Sequence, residues 1–164
     1  MKTLLLKILV VTNFLLIYSC KSQTTNDYIT FYNNLVPKLN SLVPNKIQYY
    51  NQNFSNFNTE LQNNGINIIS FTYYPKVIPG IQYYVLNLNF IELDMWKIAS
   101  ENSYRRPFIS ITFQDEIPSQ IDQLSIQSQG RWNPTIAQFF ANMKIEKIEF
   151  VGINGYNNPD RTIK

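Results

Sequence analysis

Residues 66–93 read INIISFTYYPKVIPGIQYYVLNLNFIEL, and the hydrophobic period inside them decides the fold. Ile66 to Tyr74 and Ile81 to Leu93 are rich in β-branched and aromatic residues, which suit a pleated, half-buried surface. Pro75 and the Pro79-Gly80 pair stand between the two runs as turn formers, so the stretch predicts an antiparallel hairpin. In the second arm Tyr84, Leu86, Leu88 and Phe90 share one face, opposite Asn87 and Asn89. A sheet built this way packs one side and leaves the other at least partly wet.

Toward the C-terminus, Pro107 to Gln114 predicts a third strand that buries Ile109, Ile111 and Phe113, and Ile145 to Ile153 predicts a fourth. Between them, Ile117, Ile121 and Leu124 predict a short helix from Pro118. Asn133-Pro134 supplies a cap and a first-turn proline for a helix carrying Ile136, Phe139, Phe140 and Met143. Asp94 to Tyr104 fits either a strand continuation or a short helix, because Trp96, Ile98 and Ala99 satisfy both patterns. Glu146 and Glu149 alternate with Lys144 and Lys147, the pattern of a solvated strand edge that discourages edge-to-edge pairing.

Toward the N-terminus the period is helical. Tyr28, Phe31, Tyr32, Leu35, Leu39 and Leu42 recur along one face, with Pro37 predicting a kink or a break near Val36. Ile47, Tyr50, Phe54, Phe57 and Leu61 follow at steps of three and four, after Asn45 as a candidate cap and before Gly65 as a stop. Helices, then strands, a helix and a last strand define an α+β fold: a mainly antiparallel sheet of about four strands packed against N-terminal helices and a helix before the last strand. The organisation is a single domain over 27–153, with 154–164 as a polar C-terminal tail.

The first twenty residues are of another kind. Met1-Lys2 and Lys7 precede an apolar run from Ile8 to Tyr18, which ends at Ser19-Cys20. A charged start, an apolar core and a small residue before the break form a secretory signal over 1–19. Even from Leu4 to Tyr18 the run falls short of the roughly 20 apolar residues that a bilayer-spanning helix needs. Ile17, Ser19 and Cys20 resemble the lipobox of bacterial lipoproteins. The resemblance implies cleavage between Ser19 and Cys20, diacylation of the Cys20 sulfur, and a lipidated tether over 20–26. It also implies a cell-envelope address, on the periplasmic face of the outer membrane, since no aspartate follows the cysteine and no acidic run follows it either.

Cysteine use agrees with this reading, because the chain has one cysteine and so cannot form an internal disulfide. Removing 1–19 removes Lys2 and Lys7 and no acidic residue, so the formal charge of +3 falls to +1. Near-neutral charge without a basic block gives nucleic-acid binding no electrostatic support. Abundant asparagine, isoleucine, lysine and tyrosine with few glycines resemble the composition of AT-rich genomes, Bacteroidota among them.

The chain has no histidine, and acylation would consume its cysteine. That excludes Ser-His-Asp and Cys-His nucleophilic arrangements and removes the usual zinc and copper ligands. The inventory points to no enzyme, no metal and no cofactor. Carboxylate chemistry alone survives: Glu92 and Asp94, expected on one face of a strand, and Asp115-Glu116 at a strand end could serve as an acid and base pair or hold calcium.

Interface chemistry is better represented. Tyr73, Tyr74, Tyr83 and Tyr84 flank one predicted turn, and one of each pair should leave the core. Tyr104-Arg105-Arg106 and Arg131-Trp132 add arginine beside aromatics, the composition of binding hot spots. The expected function is that of a membrane-anchored, noncatalytic protein-binding module, of which an immunity protein against a periplasmic toxin is one version. The alternative is a carbohydrate-binding or weakly hydrolytic envelope protein that uses the exposed tyrosines and paired carboxylates.

Overall fold

The hairpin pattern becomes the first half of a four-stranded antiparallel sheet. The computed structural model describes residues 24–76 and 82–164. The signal, Cys20 and the Pro79-Gly80 turn lie outside the described residues. Strands β1 (Ser70–Pro75), β2 (Tyr83–Asn89), β3 (Phe108–Phe113) and β4 (Ile145–Val151) pair in chain order. Across the ladder Phe71 faces Leu88, Leu88 faces Ile109, and Ile109 faces Phe150. Leu86, Ile111 and Ile148 form a second apolar row. These six residues from β2, β3 and β4 are fully buried, as strict alternation requires.

Among the described residues there are five helices, and their buried side chains join those of that face in one core: α1 (Thr25–Leu42), α2 (Phe54–Asn63), α3 (Leu93–Glu101), α4 (Gln120–Ser128) and α5 (Pro134–Phe140). The fold is α+β, with N-terminal helices and a helix before the last strand. α1 opens on a capping box, in which Thr24 Oγ1 accepts from the Asp27 amide at 3.3 Å and the Thr24 amide donates to Asp27 Oδ2 at 2.7 Å. It buries Tyr28, Tyr32, Leu35, Val36, Leu39 and Leu42 and runs through Pro37 without ending. Packing of this long apolar face outweighs the amide bond lost at the proline. Because Pro37 is exposed, Pro37→Ala should restore that bond and raise stability by about 1–3 kcal/mol, read as a higher urea midpoint.

The expected helix from Asn45 to Gly65 divides. Val43–Tyr49 is a 3-10 segment, Asn51 turns the chain at φ +62°, and α2 starts only after Asn53. Ile47, the first residue of the supposed stripe, is therefore 68% exposed, while Phe54, Phe57 and Leu61 are buried. Gly65 does stop α2, at φ +61°, with its amide on the Gln62 carbonyl. The ambiguous 94–104 segment resolves as α3, which removes Glu92 and Asp94 from a strand: Glu92 precedes the helix and Asp94 sits in its first turn. Asn133 caps α5 as expected, accepting from the Ile136 amide at 3.0 Å.

Both sheet edges are bonded by the chain's own backbone. On β1 the Phe71 amide donates to the Gly130 carbonyl, while the Trp132 amide donates to Ile69 just before the strand. On β4, Asn51 and Gln52 pair with Ile145 at one end, and Lys164 exchanges two bonds with Phe150 at the other. The polar C-terminal tail thus ends paired with the edge strand through Lys164. Occupied edges leave few unpaired amides on which another chain could add a strand.

Candidate functional site

Among the described residues no helix lies over the second face of the sheet. Three rows cross it: Ser70, Asn89, Phe108 and Val151; Thr72, Asn87, Ser110 and Glu149; and Tyr74, Val85, Thr112 and Lys147. None of these twelve side chains is fully buried. Over the first two rows lies a groove of about 610 Å³, walled by Trp96 of α3, by the loop Tyr104–Pro107 and by Asp160 and Arg161.

The wall is assembled from parts distant in sequence. Ala99 is buried where α3 packs near α1, while Trp96, three residues earlier, stays 46% exposed on the groove side. The Arg106 guanidinium lies 4.7 Å from the centre of the Trp96 ring, a contact that fixes both side chains. Arg105 turns the other way along the tail: its Nε donates to the Asn158 carbonyl at 3.0 Å and Nη2 to the Pro159 carbonyl at 3.2 Å. Below them, Tyr28 stacks on Tyr104 with centroids 5.7 Å apart, and its hydroxyl donates to the Arg105 carbonyl. The Tyr32 hydroxyl donates to the Gly152 carbonyl at 2.7 Å and accepts from the Gly155 amide at 2.9 Å. On the groove floor Asn87 Oδ1 has no donor among the described residues.

Of the residues singled out from sequence, Tyr74, Tyr104, Arg105 and Arg106 come together here. The others do not. A register shift between Tyr74 and Pro75 turns Tyr83, rather than Tyr84, toward the core, where its ring meets Tyr73 edge-on at 4.9 Å. Tyr84 instead faces the Lys76 ammonium, 5.9 Å from its ring centre. Trp132 packs among Phe54, Phe71 and Phe140, and Arg131 pairs with Glu92 at 2.9 Å on the surface. Antiparallel pairing puts Glu92 and Asp94 beyond the Asn89–Phe108 end of the sheet, whereas Asp115 and Glu116 follow Phe113 at the other. The two carboxylate pairs do not converge. Among the described residues no group of three acidic or sulfur ligands is placed to hold a metal ion.

Sequence reasoning missed Trp96, Asn87, Asp160 and Arg161. Trp96 and Arg106 are ten residues apart, and only the α3 turn brings them face to face.

Burial, followed by the Asp122 carboxylate that accepts its hydroxyl proton at 2.7 Å, pushes the Tyr73 pKa up to about 12. Burial and then Tyr32 raise Tyr28 in the same direction. These phenols hold their protons more tightly folded than unfolded, where the value is about 10. Their stabilisation is complete below about pH 10 and is lost as pH rises toward the folded values. The urea midpoint should fall between pH 10 and 12, and less steeply in Tyr73→Phe; a rising midpoint in that window would contradict the assignment.

No protein-family model matches this chain, and neither a curated protein nor a solved structure matches it. Among the described residues no helix is long and apolar enough to cross a membrane.

Proposed function

We propose that this chain is a lipid-anchored protein of the cell envelope that binds a protein partner, without catalysis, through the open face of its sheet. One observation carries the reading: the uncovered face ends in a groove whose wall is an exposed tryptophan braced by an arginine. Tryptophan, tyrosine and arginine dominate binding energy at protein interfaces, and here they border a polar floor able to pair with a backbone. The lipobox-like Ile17, Ser19 and Cys20 support the anchor, with attachment to the periplasmic face of the outer membrane. An immunity protein that blocks a delivered toxin would work in this way.

Cys20→Ser should move the protein from the membrane fraction to the soluble one, since each buried acyl methylene contributes about 0.8 kcal/mol to membrane binding. A variant that still pellets with membranes and labels with palmitate would contradict the anchor. Binding is tested by capture from detergent-solubilised envelope with wild type and with Trp96→Ala. The expected result is a reproducible partner on wild type that is lost from Trp96→Ala. The same partner on both would overturn the assignment of the face.

A further inference from the structure

We infer that the groove's occupant is an acidic protein segment, one presenting carboxylates beside an aromatic or aliphatic side chain. This rests on the open face being the binding surface.

Positive charge at the groove is left unanswered by the chain. Three guanidinium groups, Arg105, Arg106 and Arg161, line the groove against a single carboxylate, Asp160. None of the three enters an ion pair among the described residues, whereas Lys76, Arg131 and Lys147 are paired with Glu146, Glu92 and Glu149. Three cations of the sheet and its edges are thus neutralised within the chain, and the three at the groove are not. Arg105 places two donors on backbone carbonyls, which fix its position without cancelling its charge and leave Nη1 to an incoming group. Arg106 sits over the Trp96 ring. Arginines already held in place lose little entropy on binding and match a carboxylate with two parallel bonds.

The surroundings favour a protein over a lipid headgroup. The floor beneath the arginines sets four hydrogen-bonding side chains, Ser70, Thr72, Asn87 and Asn89, beside Phe108 and Val151, so it can pair with a peptide backbone while seating an apolar side chain. Trp96 and Tyr74, both exposed, give an apolar side chain of the incoming segment a place to pack. With the sheet edges bonded by the chain itself, the segment lies across the face rather than joining as a strand.

The full-length, detergent-solubilised protein is titrated against a fluorescent glutamate–tyrosine copolymer, its glutamine–tyrosine counterpart, and dihexanoyl phosphatidylglycerol as a monomeric anionic lipid. The expected result is binding of the glutamate copolymer, at least about tenfold weaker for the glutamine polymer and about tenfold weaker again for wild type in high salt. Arg106→Gln combined with Arg161→Gln should lose it to the same degree, while Arg131→Gln, outside the groove, should not. Equal binding of the two polymers, or retention by the double variant, overturns the proposal. Binding of the lipid with no binding of the glutamate copolymer overturns it in favour of a headgroup. Failure here with Trp96-dependent capture intact removes the acidic chemistry alone; loss of that capture removes the open-face reading itself.

Discussion

Gly152→Ala is expected to destabilise the protein by about 4 kcal/mol, a large share of the roughly 5–15 kcal/mol that holds a domain of this size together. Gly152 follows β4 at φ +71°, where any side chain is strained by about 1–2 kcal/mol. Steric contact adds the larger part. A Cβ there would stand 2.4 Å from the Arg106 carbonyl oxygen and 2.9 Å from its carbon. Both are main-chain atoms, so no side-chain rotation relieves the overlap and the 105–107 strand entry must move. The same displacement breaks the Tyr32 bond to the Gly152 carbonyl and shifts Arg106 off Trp96. Urea unfolding should show the loss, and any folded remainder should bind poorly. A change under about 1 kcal/mol would mean that the β4 end and the arginine loop are not packed as described.

Phe140→Ala is expected to cost about 3–5 kcal/mol, as deletions of fully buried aromatic rings do. Phe140 is fully buried and stacks on Phe113 at 5.7 Å and on Trp132 at 6.2 Å, with interplanar angles of 11° and 9°. Phe54, Phe71 and Phe139 meet the same ring at steep angles. Removal leaves a void bounded by α2, α5 and the sheet, which rigid neighbouring rings cannot close. Thermal unfolding gives the size of the loss, and the near-ultraviolet circular dichroism of Trp132 should weaken in parallel. Retention of that signal with an unchanged midpoint would contradict the cluster.

The contrast between these two residues shows how far the sequence could be read. Phe140 lay in a helical pattern opened by Asn133-Pro134, and the alternation of Ile109, Ile111 and Phe113 named the sheet face it packs on. Period and cap are local signals, and they were enough for the strands, for α5 and for the end of α2. Gly152 sits in no motif; its constraint comes from Arg106, which is remote in the chain. The same holds for the groove, because Trp96 fits strand and helix patterns equally and takes its place in the groove wall only by meeting Arg106. The stripe from Ile47 misled because 3-10 and α-helical spacing agree over a few residues, and the break at Asn51 requires an asparagine in the left-handed region. The Tyr83 and Tyr84 faces were unreadable for a related reason: one extra residue in the ladder reverses alternation locally.

The proposed binding mode places the partner on the open face of the sheet and not on the helical side. Site-specific photocrosslinking in living cells tests it most directly, with benzoylphenylalanine in place of Thr72, exposed in the groove, or of Gln123, exposed on α4. A discrete protein adduct from position 72 and none from position 123 is the predicted result. Adducts from position 123 alone, or equally from both, would contradict it.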